Sequence, residues 1–203
     1  MDIDFDLPSN FDAKKYFNIV RASMINNGEI EPHPCGVYFE NIPTIDGLSA
    51  IPYKVAENMD YQKIDFLTLK MLDHIDFDTL QQYRQTEPDW SQLQQEDILQ
   101  HVMHLSTRDS EGKLLYLHIL QQIKPRTMEE VADILALIRP GNSSYVEQYR
   151  INTRYVREQI YKQHNDRYTF KRSHALSYAQ NIGIQIHFLV SKFKINYNDF
   201  LLY

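Results

Sequence analysis

Asp2-Ile3-Asp4-Phe5-Asp6 alternates acid and apolar residue by residue, and Lys63-Ile64-Asp65-Phe66-Leu67 repeats the pattern further along. A period of two is the signature of a β-strand with unlike faces. In the first segment Asp2, Asp4 and Asp6 share one edge. In the second, Asp65 stands alone among apolar neighbours. Like charges at such spacing repel one another. A fold keeps them where a cation neutralises them or where water surrounds all of them. Taken by itself, the first run also reads as a frayed acidic terminus. A third short apolar segment, Gly36-Val-Tyr-Phe39, completes a small sheet of three expected strands, 2–6, 36–39 and 63–67.

Outward from these strands the signals turn helical. Leu7-Pro8 ends the first strand, and Ser9 or Asn10 is placed to cap a helix over 11–25. Asn26-Asn27-Gly28 marks a turn, and residues 40–50, with Pro43 and Gly47, read as loop. Helices are predicted from the end of the third strand to about 84, then over 93–105 and 114–123. Thr127 followed by Glu130 forms a capping box for a helix over 128–138, which Arg139-Pro140-Gly141 stops. Residues 144–164 and 174–193 read as two further helices. The fold class is therefore α/β (α+β): a small sheet with surrounding helices and a mostly helical C-terminal half. The expected division is 1–122 for the sheet-bearing part and 123–203 for the helical part.

Composition bounds the function. The 203 residues are 43% hydrophobic and 24% charged, as in globular proteins, and carry a net charge of −6. That overall sign does not suit a general nucleic-acid binder. The charge is uneven, however. Residues 1–121 hold 9 Lys/Arg against 20 Asp/Glu, whereas residues 122–174 hold 10 against 6. Phosphate neutralisation would come from that basic stretch, which on charge alone reads more simply as a solvated helical surface. The single cysteine, Cys35, excludes an internal disulfide and fits a reducing cytoplasm. No apolar run nears the roughly 20 residues of a spanning helix, so no membrane is expected.

Five segments in order along the chain resemble the bacterial family C DNA polymerases, the alpha subunits of DNA polymerase III. They are Met1–Asp6 (M-D-I-D-F-D), Asn26–Phe39 (N-N-G-E-I-E-P-H-P-C-G-V-Y-F) and Lys63–Leu69 (K-I-D-F-L-T-L). They continue with Ile123–Gly141 (I-K-P-R-T-M-E-E-V-A-D-I-L-A-L-I-R-P-G) and Phe170–Ala179 (F-K-R-S-H-A-L-S-Y-A). The resemblance implies a much shortened palm and fingers, with a palm-like sheet. Asp2, Asp4 and Asp65 would be the catalytic carboxylates holding two Mg²⁺ ions, or Mn²⁺, for nucleotidyl transfer. Lys63 would lie near the phosphates of the incoming nucleotide, and His33 would stand beside the glycine that leads into a strand. Arg139, Lys171, Arg172 and His174 would face primer–template DNA or the dNTP. Asp6 would be a helper at most.

Simpler readings stand beside these roles. Arg139 suits a helix C-terminus, His174 a helix N-terminus bonded to backbone, and His33, between two prolines, a loop-structuring residue. The family's triphosphate-holding segment and most of its basic fingers have no counterpart here. The expectation is thus a minimal or split DNA polymerase component acting in DNA replication, of phage-like compression, with a partner polypeptide supplying the missing parts. The alternative is an inactive polymerase-like module that binds primer–template DNA or a replication protein.

Overall fold

The computed structural model describes residues 3–162 and 170–200, and Asp2 lies outside them. The chain forms two compact units, Met1–His74 and Ile75–Tyr203.

The first unit is built on a six-stranded mixed sheet ordered β1-β6-β3-β2-β5-β4. The strands are β1 (Ile3–Pro8), β2 (Val20–Asn26), β3 (Glu29–Tyr38), β4 (Thr44–Ile45), β5 (Leu48–Pro52) and β6 (Ile64–Leu69). β1 pairs parallel with β6, with Asp4 opposite Asp65 and Phe5 opposite Phe66. The alternation read from the sequence thus divides the sheet. Phe5 and Phe66 meet edge to face, their ring centroids 6.2 Å apart, on one side. Asp4, Asp6 and Asp65 lie on the other. Pro8 lacks an N–H and is tolerated because β1 is an edge strand. Beyond it, the Ser9 N–H donates to Asp73 Oδ1 at 2.6 Å and the Ser9 hydroxyl bonds Asp73 Oδ2. These contacts tie the end of β1 to the 3₁₀ turn Lys70–His74 that follows β6.

Residues 11–25, expected as one helix, form a 3₁₀ turn at Ala13–Lys15 and then strand β2. The turn that follows decides this. Asn27 and Gly28 both have positive φ, 50° and 86°, the type I′ geometry that matches strand twist. The hairpin pairs residues 20–26 with β3, and the weak helical pattern has no comparable partner. Residues 40–50 are not all loop either: β4 and β5 form a second hairpin through Asp46 and Gly47. The short helix α1 (Tyr53–Glu57) packs beside β2 and β5.

The second unit is helical among its described residues: α2 (Phe77–Gln85), α3 (Glu96–Leu99), α4 (Leu117–Ile123), α5 (Met128–Leu137), α6 (Val146–Ile151), α7 (Thr153–Ile160) and α8 (Arg172–Phe200). The Thr127 hydroxyl accepts the Glu130 N–H at 3.2 Å, as the capping box requires, while Glu130 reaches back to the Arg126 N–H at 2.7 Å. The helix expected over 93–105 is only a 3₁₀ turn at Trp90–Gln94 and the single turn of α3. The helix expected over 144–164 breaks at Asn152, whose side chain caps α7 by accepting from the Tyr155 N–H at 3.1 Å. A single core contains Trp90, Leu93, Leu105, Leu120, Ile134 and Ile182. Residues 90–120 therefore pack with α5 and α8. The boundary expected at 122/123 falls inside this unit, and the chain divides at 74/75.

α5 carries a carboxylate in this core. Asp133 is 1% exposed. It accepts from Tyr149 Oη at 2.6 Å, Tyr161 Oη at 3.1 Å and Arg157 Nε at 2.8 Å, with Arg157 Nη2 at 2.7 Å. The network joins α5, α6, α7 and the residue after α7. Burial, together with Asp133, pushes both tyrosine hydroxyls far above their ordinary range. Asp133 keeps Arg157 protonated.

Candidate functional site in the sheet

Asp4 and Asp65 are neighbours in register on parallel strands, and their side chains leave the same face. Strand spacing puts such pairs about 5 Å apart. Both are partly buried, and the Asp65 side chain is only 14% exposed. Lys63, two residues before Asp65 on the same face, bonds both oxygens of its carboxylate. The Lys63 ammonium also lies 5.8 Å from the centre of the Tyr53 ring at the start of α1.

The third wall is an irregularity in β3. On β2, Arg21 pairs with Val37 and Ser23 with Pro32, so the four residues His33–Gly36 stand opposite Ala22 alone. This bulge folds back on itself. His33 Nδ1 accepts the Gly36 N–H at 2.9 Å and faces the Cys35 N–H at 3.4 Å. The ring packs edge-on against Tyr53 at 5.0 Å. His33 is thus a loop-structuring residue, as one sequence reading had it, yet the same ring is brought to the acidic face, with Nδ1 3.9 Å from Asp65 Oδ1. Burial, aided by Lys63, holds the imidazole below its ordinary pKa.

Gly36, the register partner of Asp65, makes this packing possible. A Cβ there would lie 2.8 Å from His33 Nδ1, 2.8 Å from Lys63 Cδ and 3.1 Å from Ala22 Cβ. No side chain fits between the histidine and the lysine.

Cys35, which the sequence marks only as a sign of compartment, also reaches this face. Its Sγ lies 3.9 Å from His33 Nδ1. Burial first, and then the Asp65 carboxylate, push the thiol up to about 11; Asp4 adds to the same field. One ligand atom each from His33, Cys35 and Asp65 can be chosen so that all lie within 4.8 Å of one another. The site offers two kinds of donor set: a carboxylate pair suited to a hard cation, and a mixed nitrogen, sulfur and oxygen set suited to a softer one.

The remaining candidates belong to the second unit. Arg139 follows α5, and its guanidinium stacks 4.4 Å above the ring of Phe170. Phe170 meets His174 at 5.2 Å, His174 meets Tyr178 at 4.4 Å, and Tyr178 stacks on His104 at 4.3 Å. Arg139 and His174 are therefore brought together around aromatic rings. Lys171 and Arg172, at the start of α8, are exposed, and Arg172 reaches Glu129 at 3.0 Å. His104 carried no signal in the sequence. It adopts φ 70°, in the left-handed region, and its pKa is lowered by burial and then by Arg139 and His174.

No helix among the described residues is long and apolar enough to cross a membrane. No protein-family model and no curated protein matches the sequence.

Proposed function

We propose that the chain is a polymerase-like nucleotidyltransferase that uses divalent metal ions and acts on primer–template DNA and dNTPs in DNA replication in the cytoplasm. The observation that supports this reading best is the register pairing of Asp4 with Asp65 on one face of the sheet, with Lys63 beside them. Asp2, Asp4 and Asp65 would hold the Mg²⁺ ions. Bound there, the metal supplies charge neutralisation and a more acidic primer hydroxyl. Lys63 contributes a fixed positive charge near the developing negative charge of the phosphates. His33 holds the bulge against the acidic face. Arg139, Lys171 and Arg172 supply cationic groups for phosphate and His174 a ring N–H donor, and a partner polypeptide supplies the remaining triphosphate contacts, because orientation provides much of the rate.

A second reading draws on the ion pair itself. Lys63 satisfies both oxygens of Asp65, so this carboxylate is charge-paired without a metal. That arrangement suits a polymerase-like module that binds primer–template DNA or a replication protein without turnover.

Primer extension with Mg²⁺ or Mn²⁺ separates the two. The purified chain is assayed alone and in extract from its native host, beside Asp4→Ala. Extension that disappears in Asp4→Ala supports nucleotidyl transfer, and extension in extract alone establishes a required partner. Normal extension by Asp4→Ala sinks the assignment of Asp4. A folded protein inactive in both settings leaves the binding-module reading.

A further inference from the structure

We propose that His33, Cys35 and Asp65 form a site for one thiophilic divalent cation, Zn²⁺ in class, distinct in chemistry from the carboxylate pair. The three donors are an imidazole nitrogen, a thiol sulfur and a carboxylate oxygen, all within 4.8 Å of one another. Imidazole and thiolate select softer metals than Mg²⁺. Three protein ligands leave a fourth position for water, as in zinc sites that remain open.

Two further features fit. The Gly36 N–H donates to His33 Nδ1 at 2.9 Å, so Nδ1 carries no proton and its lone pair would pass from that N–H to the ion. Exchanging that N–H for an ion needs no change of tautomer. Lys63 already holds a cation against Asp65, which shows that the position favours positive charge. On binding, the metal–sulfur bond forms as the Cys35 S–H proton leaves to solvent, and the Lys63 ammonium gives up Asp65. Lys63 and the metal therefore compete for the same carboxylate.

One consequence rests on the nucleotidyl-transfer reading. Asp65 belongs to both sets, so loading this site would draw a Mg²⁺ ligand away and inhibit extension. The binding itself is independent of that reading.

Co²⁺ is the probe. Metal-free full-length protein is titrated without oxygen while sulfur-to-cobalt charge transfer is followed in the near ultraviolet. Cys35 is the only cysteine, so any such band comes from it. The expected result is saturation at one ion per chain and bleaching by Zn²⁺. His33→Ala and Asp65→Asn should weaken binding at least about tenfold each. Lys63→Met should keep the band and bind more tightly, because the competitor is gone. Cys35→Ser and Cys35→Ala, checked for folding by circular dichroism, should show no band. The proposal is overturned if folded wild type gives no charge-transfer band. It is equally overturned if His33→Ala and Asp65→Asn bind as wild type, which would mean a lone thiol. None of these readouts needs catalysis, so failure of the polymerase reading and failure of this site are separate results.

Discussion

Gly36→Ala tests the packing on which the whole sheet site depends. Gly36 does not have a positive φ, so the backbone accepts alanine and the penalty is steric. The new methyl would meet His33 Nδ1 and Lys63 Cδ at 2.8 Å and Ala22 Cβ at 3.1 Å, inside the roughly 3.5–4 Å of a favourable contact. Lys63 can move aside only by loosening its hold on Asp65. His33 can move only by releasing the Gly36 N–H, and Ala22 is fully buried. Overpacking of this kind costs about 1–3 kcal/mol. In a unit the size of Met1–His74, each kcal/mol corresponds to about 4–8 °C in Tm. The two units carry separate probes: Cys35 is the only cysteine and lies in the first, and Trp90 is the only tryptophan and lies in the second. Thiol labelling of Cys35 across a urea series reads the loss, with Trp90 fluorescence as the reference. Lys63→Ala removes one of the obstructing atoms, so Gly36→Ala should cost about 0.5 kcal/mol less, or better, in that background. A Gly36→Ala protein whose Cys35 protection lies within about 0.5 kcal/mol of wild type would refute the steric argument. So would identical costs in the two backgrounds.

Two predictions concern the second unit. Asp133→Asn takes the buried anion from Tyr149, Tyr161 and Arg157, although Arg157 is 29% exposed and keeps Glu129 at 3.5 Å, and should destabilise the unit by about 1–3 kcal/mol, read by urea unfolding of Trp90 fluorescence; a loss below about 0.5 kcal/mol would show the network to be dispensable. The folded-state pKa of His104 is depressed below its ordinary 6.5 by burial, Arg139 and His174. The unfolded chain therefore binds the proton more readily, and stability falls as pH drops below about 6.5. His104→Asn keeps a residue that tolerates φ 70° and should flatten that fall between pH 7.5 and 5.5. An unchanged pH dependence would remove His104 from the account.

What was legible in the sequence and what was not follows from how local each signal is. The strands carrying Asp4 and Asp65 announce themselves because their alternation lies within single segments. The pairing that sets Asp4 beside Asp65 joins two separate segments and is written in neither alternation; only the resemblance groups the two acids. β4 and β5 lie in a stretch that reads as loop although Asp46-Gly47 is a hairpin signal. Pro43 and Gly47 weighed as loop residues, and strands this short show too little period to outvote them. Asp133 lay unremarked in an apolar helix, since nothing in its own neighbourhood names Tyr149, Arg157 and Tyr161 as partners.

Cys35 is the instructive case. Its closeness to Asp65 exists because β3 spends four residues opposite one residue of β2, the last of them Gly36, which pairs with Asp65 on β6. An unbroken ladder would carry residues 33 and 35 straight along one face, at strand spacing, and His33 Nδ1 could not turn back to the Gly36 N–H. The register shift thus creates the contact between thiol, imidazole and carboxylate. That shift is a compromise between two neighbouring strands, one fixed by the Asn27-Gly28 hairpin and the other by β1. No window of sequence around Cys35 contains both constraints. The chemistry most specific to this chain therefore arises where two legible patterns fail to match, with Gly36 as the residue small enough to let them meet.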